Sequence, residues 1–101
     1  MFEQISINDV LRFTKEMKGI LIDLRSKEEY RQGHIKGAIS LPFEQIEQDG
    51  LPYGTNQTIV LYCEYGIRSM RMSKKLFEEG YLVVNTIGGL NQYSGQLERG
   101  E

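Results

Sequence analysis

The chain has few of the residues that build disulfides, metal centres or membrane spans. It contains one cysteine and one histidine among 101 residues. A single cysteine forms no internal disulfide, which is typical of a reducing compartment. One cysteine and one histidine are too few for the ligand set of a zinc site, so we expect no bound metal. The apolar runs are only as long as a strand and predict no membrane-spanning helix.

An excess of charge of one sign is also lacking. The 12 basic and 14 acidic residues are mixed along the chain, with a formal net charge of -2. This pattern predicts no nucleic-acid patch and no membrane-surface helix, so we expect neither partner. The first residues lack the basic region and apolar run of a signal peptide, and we predict a cytoplasmic protein. The length and the hydrophobic fraction of 40% fit one domain over residues 1–101.

The hydrophobic pattern alternates between strand and helix periods along the chain. Apolar runs predict strands at 20–24, 38–41, 59–62 and 81–85, with a short edge strand at 4–5. Helical spacing and capping residues predict helices at about 7–17, 26–33, 43–48, 69–79 and 91–97. In this reading Gly19 ends the first helix and Gly33 ends the second. The alternation predicts an α/β fold, in which helices cover both faces of a small, mainly parallel sheet.

The only cysteine lies where a strand gives way to a helix. The apolar run 59–62 ends at Cys63, Gly66 permits a tight turn, and helical spacing begins at Ser69. Ligands bind at the carboxyl ends of the strands in open α/β sheets. A turn that feeds a helix gathers backbone N–H groups and favours a thiolate, the nucleophilic form of cysteine. Lone cysteines are commonly inert and buried, but this position and the nearby Arg68 favour a reactive thiol.

Two segments carry a family resemblance. The loop Cys63-Glu64-Tyr65-Gly66-Ile67-Arg68-Ser69 resembles the active-site loop Cys-x-x-Gly-x-Arg-Ser of the rhodanese family of sulfurtransferases. Residues 23–42 resemble the family's other signature, which runs Asp-x-Arg, Glu-aromatic, Gly-His-Ile, Gly-Ala and Leu-Pro in that order. Gly88-Gly89 matches the family's Gly-Gly turn beside the active site. The resemblance extends from about Ser6 to Tyr93 and implies a rhodanese-like fold.

The resemblance implies a sulfurtransferase that works by double displacement. The Cys63 thiolate would take the outer sulfur of thiosulfate, a polysulfide or a persulfide, and would pass it to a thiol or to cyanide. The backbone amides from Glu64 to Ser69 would stabilise the persulfide anion. This chemistry needs no cofactor. The partners it implies are a small sulfur donor and a thiol acceptor, such as a thioredoxin-like protein.

The other residues that match the family signatures are implied to be structural. Asp23 and Arg25 form a pair that fixes the following loop, since a buried acid needs a partner. His34 is a packing and hydrogen-bonding residue, although histidine titrates near neutral pH and could serve as a base. Gly88 and Gly89 supply backbone geometry beside the active site.

Three loop residues allow more than one interpretation. Arg68 either binds an anionic donor or forms an ion pair that braces the loop. Ser69 either caps the helix or donates a hydrogen bond to the bound sulfur. Glu64 lies in a variable position of the family and would disfavour a dianionic donor at short range. We therefore expect a persulfide or polysulfide to suit the site better than thiosulfate.

Two other functional classes remain open at this point. A phosphatase or arsenate reductase resembles His-Cys-x-x-x-x-x-Arg, whereas here Tyr62 precedes Cys63 and Arg68 comes one position early. The shorter loop suits a sulfur atom better than a phosphate. A binding module, or a sulfur carrier that serves one dedicated partner, would share the fold without free turnover, because fold alone does not decide function.

Overall fold

The computed structural model describes residues 2–101, and these residues form five strands and four helices. The strands are β1 Glu3–Ser6, β2 Ile20–Asp23, β3 Ile39–Ser40, β4 Thr58–Tyr62 and β5 Leu82–Ile87. The helices are α1 Val10–Met17, α2 Lys27–Gln32, α3 Phe43–Asp49 and α4 Ile67–Glu78, with short 3-10 turns at Ile7–Asp9 and Leu90–Gln92. No helix within residues 2–101 is long and apolar enough to cross a membrane.

The strands form one parallel sheet in the order β1-β5-β4-β2-β3. Side chains of β4 alternate between its faces, as the two-residue period of a strand requires. Ile59 and Leu61 pack with α3 and α4, while Val60 and Tyr62 pack with Val10 of α1 on the other face. The predicted α/β class, with helices on both faces of a parallel sheet, is confirmed.

Both ends of the first helix differ from the sequence prediction. The first helix starts as a 3-10 turn capped by Ser6, whose Oγ accepts a hydrogen bond from the Asn8 N–H at 3.2 Å. Lys18, not Gly19, takes the left-handed conformation that ends α1, with φ of 53°. Gly19 serves packing instead, because a Cβ there would lie 3.0 Å from Cγ2 of Val60.

The predicted helix at 91–97 is wrong. Only one 3-10 turn forms, at Leu90–Gln92, and the chain then pairs with the loop after α2. The Asn8 side chain donates to the Gln92 carbonyl at 3.2 Å and accepts from the Ser94 N–H at 2.8 Å. These side-chain bonds use backbone groups that a helix would need. Further along, Glu98 and His34 exchange two backbone hydrogen bonds of 2.8 Å.

Candidate active site

Cys63 lies directly after β4, between the carboxyl ends of β5 and β2. Its side chain is only 3% exposed. The Sγ atom accepts hydrogen bonds from the Gly66 N–H at 3.1 Å and from the Ser69 N–H at 3.3 Å. Two amide donors aimed at one sulfur atom form a setting that suits an anionic sulfur.

Gly66 and Ser69 give the loop this shape. Gly66 has φ of 95°, a left-handed value that a side chain would disfavour, and it is the N-cap of α4. The buried Ser69 hydroxyl donates to the Gly66 carbonyl at 3.2 Å, so it stabilises the turn and does not bind the sulfur. Ile67 and Arg68 stand in the first turn of α4, where backbone N–H groups have no acceptor within the helix. Helix α4 therefore begins inside the loop, two residues before the predicted start.

The Gly88-Gly89 turn packs against the back of this loop. The Leu90 N–H donates to the Cys63 carbonyl at 2.8 Å, and the Asn91 N–H donates to the Glu64 carbonyl at 2.9 Å. A Cβ on Gly89 would lie 2.7 Å from the backbone nitrogen of Tyr65. The absence of a side chain at Gly89 thus allows the close approach of two backbone segments.

A cavity of about 430 Å³ opens in front of Cys63. It has the size of a small-molecule site. The residues around it come from both signature segments and from α4; they are Leu24, Arg25, Glu29, Cys63, Glu64, Tyr65, Ile67, Arg68 and Arg71. Most of the predicted loop residues therefore line one opening together with Cys63, whereas Gly66, Ser69 and His34 are not among the lining residues.

Asp23, Arg25 and Tyr62 form a buried polar cluster beside the cavity. Asp23 Oδ2 accepts from Arg25 Nη2 at 2.9 Å and from the Tyr62 hydroxyl at 2.7 Å. Burial acts to lower the pKa of Arg25, but the hydrogen bond and charge of Asp23 outweigh it and raise that pKa. Burial first, and then the charge of Asp23, raise the pKa of Tyr62. The cluster thus holds Arg25 as a fixed cation.

Arg25 also contacts the loop that carries the cysteine. Its Nη1 donates to Glu64 Oε1 at 3.2 Å, while its Nη2 donates to the Gly33 carbonyl. The two signature segments are therefore joined by an ion pair that the sequence did not reveal. The charge of Glu64 is partly offset by Arg25, but Asp23 and Glu64 together leave the group with one net negative charge. Two further arginines line the same cavity, so the expected bias against dianionic donors stays a prediction.

The side chains of Arg68 and His34 donate no hydrogen bond to the sulfur. Arg68 forms an ion pair with Glu44 of α3 at 3.3 Å, and its guanidinium lies 5.7 Å from the Phe43 ring centroid. His34 is buried, stacks on Tyr30 with ring centroids 3.7 Å apart, and places Nδ1 2.7 Å from the Tyr30 carbonyl oxygen. Sequence reasoning missed Glu44 and Phe43, because only the fold brings α3 beside the start of α4.

We expect Asp23→Asn to lower the free energy of unfolding by about 3 kcal/mol, because it leaves the Arg25 cation buried without its main partner. Denaturant unfolding measures this loss. Asp9→Asn is the matched control, since Asp9 pairs with Arg12 on the surface at 3.5 Å and an exposed pair contributes less than about 1 kcal/mol. Equal losses in the two variants would contradict the importance of the buried cluster.

Comparison with known proteins assigns the family. The profile of the rhodanese-like domain matches residues 7–96, and the chain belongs to this family. Among solved structures, it is similar to a rhodanese-like domain protein from Staphylococcus aureus, with a TM-score of 0.81 and 25% identity; the match covers 99% of this chain and 100% of that one.

Two of the three curated relatives compared below have names that refer to sulfur. The chain is 36% identical over 72 residues to thiosulfate sulfurtransferase PspE of Escherichia coli, covering 68% of each. It is 33% identical to the uncharacterized protein YqhL of Bacillus subtilis over 80% of this chain, and 28% identical to the putative sulfur carrier protein YrkF of the same organism over 77%. It spans 65% of YqhL and 43% of YrkF, less than two thirds of each.

Proposed function

We propose that this protein is a sulfurtransferase that carries a sulfane sulfur as a persulfide on Cys63. The observation that carries the proposal is the position of Sγ at the base of a cavity, with two backbone N–H donors within 3.3 Å. The family and the name of PspE support the same chemistry. Each proposed step uses the thiol of Cys63.

The reaction divides into two displacements at sulfur. In the first, the Cys63 thiolate attacks the outer sulfur of the donor, the donor's sulfur–sulfur bond breaks, and sulfite or a shorter thiolate leaves with the electron pair. In the second, an acceptor thiolate attacks the outer sulfur of the Cys63 persulfide, and Cys63 leaves as a thiolate. The amides of Gly66 and Ser69 already bond Sγ, and the first-turn amides of α4 can stabilise charge on the outer sulfur.

The loop geometry favours sulfur over a tetrahedral phosphate. Four residues separate Cys63 from Arg68, and the Arg68 side chain pairs with Glu44 of α3 and not with the sulfur. A phosphate site would need that arginine to face the nucleophile. A carrier that delivers its sulfur to one dedicated partner is the second candidate, and the relative named as a sulfur carrier favours it.

Intact-protein mass tests the proposal. Incubation with polysulfide should add the mass of one sulfur atom, and cyanide or dithiothreitol should remove it. Steady turnover of thiosulfate and cyanide would then indicate an enzyme, whereas loading without turnover would indicate a carrier. No mass gain with either thiosulfate or polysulfide would contradict both candidates.

We expect Glu64→Gln to raise the use of thiosulfate roughly tenfold relative to an uncharged organic trisulfide, because it removes a negative charge from the cavity wall. Glutamine keeps an oxygen that can accept the hydrogen bond from Arg25. The measurement is kcat/KM for each donor with cyanide as acceptor. Glu47→Gln, which removes the same charge from the exposed face of α3, should leave the donor ratio unchanged. Equal gains with both donors in Glu64→Gln would contradict the electrostatic argument.

A further inference from the structure

Large apolar side chains are exposed around the entrance to Cys63. Tyr65 is 68% exposed, Ile67 70% and Ile87 56%. Together with Met70 they line a second groove on the other side of the loop, and we call these four residues the apolar patch. Tyr65 and Ile67 line the Cys63 cavity as well, so the patch is continuous with the site. Exposed apolar surface of this kind, placed beside a site, marks an interaction surface.

The exposed face of α4 next to the patch is basic. Arg68, Arg71, Lys74 and Lys75 lie in this helix, and no acidic residue occurs in it before Glu78. Ile67, Arg71 and Lys74 are spaced so that they share one face. Within residues 2–101, Arg68 is paired with Glu44, whereas Arg71 and Lys74 form no ion pair. In a chain with more acidic than basic residues, this face is a local positive surface.

We propose that the apolar patch and the basic face of α4 dock a protein that presents its thiol on an acidic, projecting segment. The inference rests on the proposed function and names the class of its acceptor. Cys63 is 3% exposed, so a flat surface cannot reach it and the partner's thiol must project into the cavity. A small thiol would need only the cavity, and a lipid surface carries no thiol to accept sulfur.

The sulfur transfer from Cys63 to the docked partner needs no further reactant. The partner's thiolate attacks the outer sulfur of the Cys63 persulfide, and a new sulfur–sulfur bond forms on the partner. The bond between the two sulfurs of Cys63 breaks, and its electron pair stays with the cysteine thiolate. Opposite charges accelerate the encounter of the two proteins, and the apolar patch holds them in register.

Disulfide-activated peptides test the docking independently of sulfur loading. Two short peptides carry a central cysteine, activated as its mixed disulfide with thionitrobenzoate, and a neighbouring leucine. One is flanked by glutamates and the other by lysines. The Cys63 thiolate attacks the peptide sulfur and coloured thionitrobenzoate leaves, so the rate reports approach to Cys63. At low ionic strength we expect the acidic peptide to react about tenfold faster, and salt should reduce the preference.

Two double variants test where the docking surface lies. The double variant Lys74→Glu with Ile87→Ser reverses a charge and removes apolar area outside the Cys63 cavity. It should lower the preference for the acidic peptide to about twofold or less. The control is Lys15→Glu with Leu82→Ser. Lys15 is exposed on α1, across the sheet, and Leu82 is 53% exposed at the opposite end of β5 from Ile87. The control should keep the wild-type preference.

The outcomes separate the two proposals. Equal rates with both peptides, or the same loss of preference in both variant pairs, would overturn the docking surface. Binding of the protein to anionic vesicles that is lost only in Lys74→Glu with Ile87→Ser would also overturn it, and would assign the surface to a membrane. A clear peptide preference in a protein that gains no sulfur from polysulfide would support the surface and contradict the sulfurtransferase.

Discussion

Replacing Cys63 by serine should lower the rate of sulfur transfer by at least about a thousandfold, the scale of loss when a covalent nucleophile is removed. A serine hydroxyl remains protonated near neutral pH and forms no persulfide. The fold should survive, because a serine oxygen can accept the same amide hydrogen bonds from Gly66 and Ser69 that Sγ accepts now. We expect a cost of about 1–2 kcal/mol in unfolding free energy, as for ordinary single substitutions.

Two measurements separate chemistry from folding in this variant. Intact mass after polysulfide treatment should show one added sulfur in the wild type and none in Cys63→Ser. Denaturant unfolding should give the same m-value for both proteins, which shows that the same surface is buried. Cys63→Ala is the second control, since it removes the acceptor atom together with the nucleophile. A serine variant that still gains sulfur would dismiss Cys63 as the nucleophile.

Local sequence patterns were sufficient for the elements that position the cysteine. The apolar run before Cys63 has the length and the residue types of a buried strand, and it is the central strand β4. The capping box that begins at Ser26 forms with both of its hydrogen bonds, and Gly33 ends that helix. In each case the signal and the structure that it specifies lie within a few residues of each other. Such features can be read from one sequence.

Contacts between distant segments could not be predicted in this way. The Arg25–Glu64 pair joins residues 39 positions apart, and the Glu44 partner of Arg68 depends on where α3 packs. The incorrect prediction of a helix at 91–97 has the same cause, because Asn8 binds backbone groups more than 80 positions away. Helical spacing was present there, but long-range hydrogen bonds decided the conformation.

The basic face of α4 shows a second limit of prediction from sequence. Charge counted along the whole chain is nearly balanced, and this led to the expectation of no nucleic-acid patch and no membrane-surface helix. Arg71 and Lys74 share one exposed face of α4, and Glu78, the acidic residue of that helix, lies at the end far from Cys63. Net charge describes the molecule, but recognition depends on the surface next to the site.

Gly89→Ala should lower sulfur transfer about a hundredfold, because the loop that holds Cys63 must move to admit the new methyl group. The added Cβ would lie 2.6 Å from the carbonyl carbon of Glu64 and 2.7 Å from the nitrogen of Tyr65, both of them backbone atoms. No rotation of a side chain can relieve such a contact. A displacement of about 1 Å in a positioned group can reduce a rate about a hundredfold.

Gly50→Ala is the control that isolates this contact from backbone strain. Gly50 has φ of 75° and Gly89 has φ of 65°, both with extended ψ, so alanine is strained at both, by about 1–3 kcal/mol. A Cβ on Gly50 would meet no heavy atom within 4 Å. Both variants should therefore lose stability, but only Gly89→Ala should lose activity per folded molecule. If the two variants transfer sulfur at equal rates after correction for the folded fraction, the Gly88-Gly89 turn does not position the loop, and the amides around Cys63 are held by the start of α4 alone.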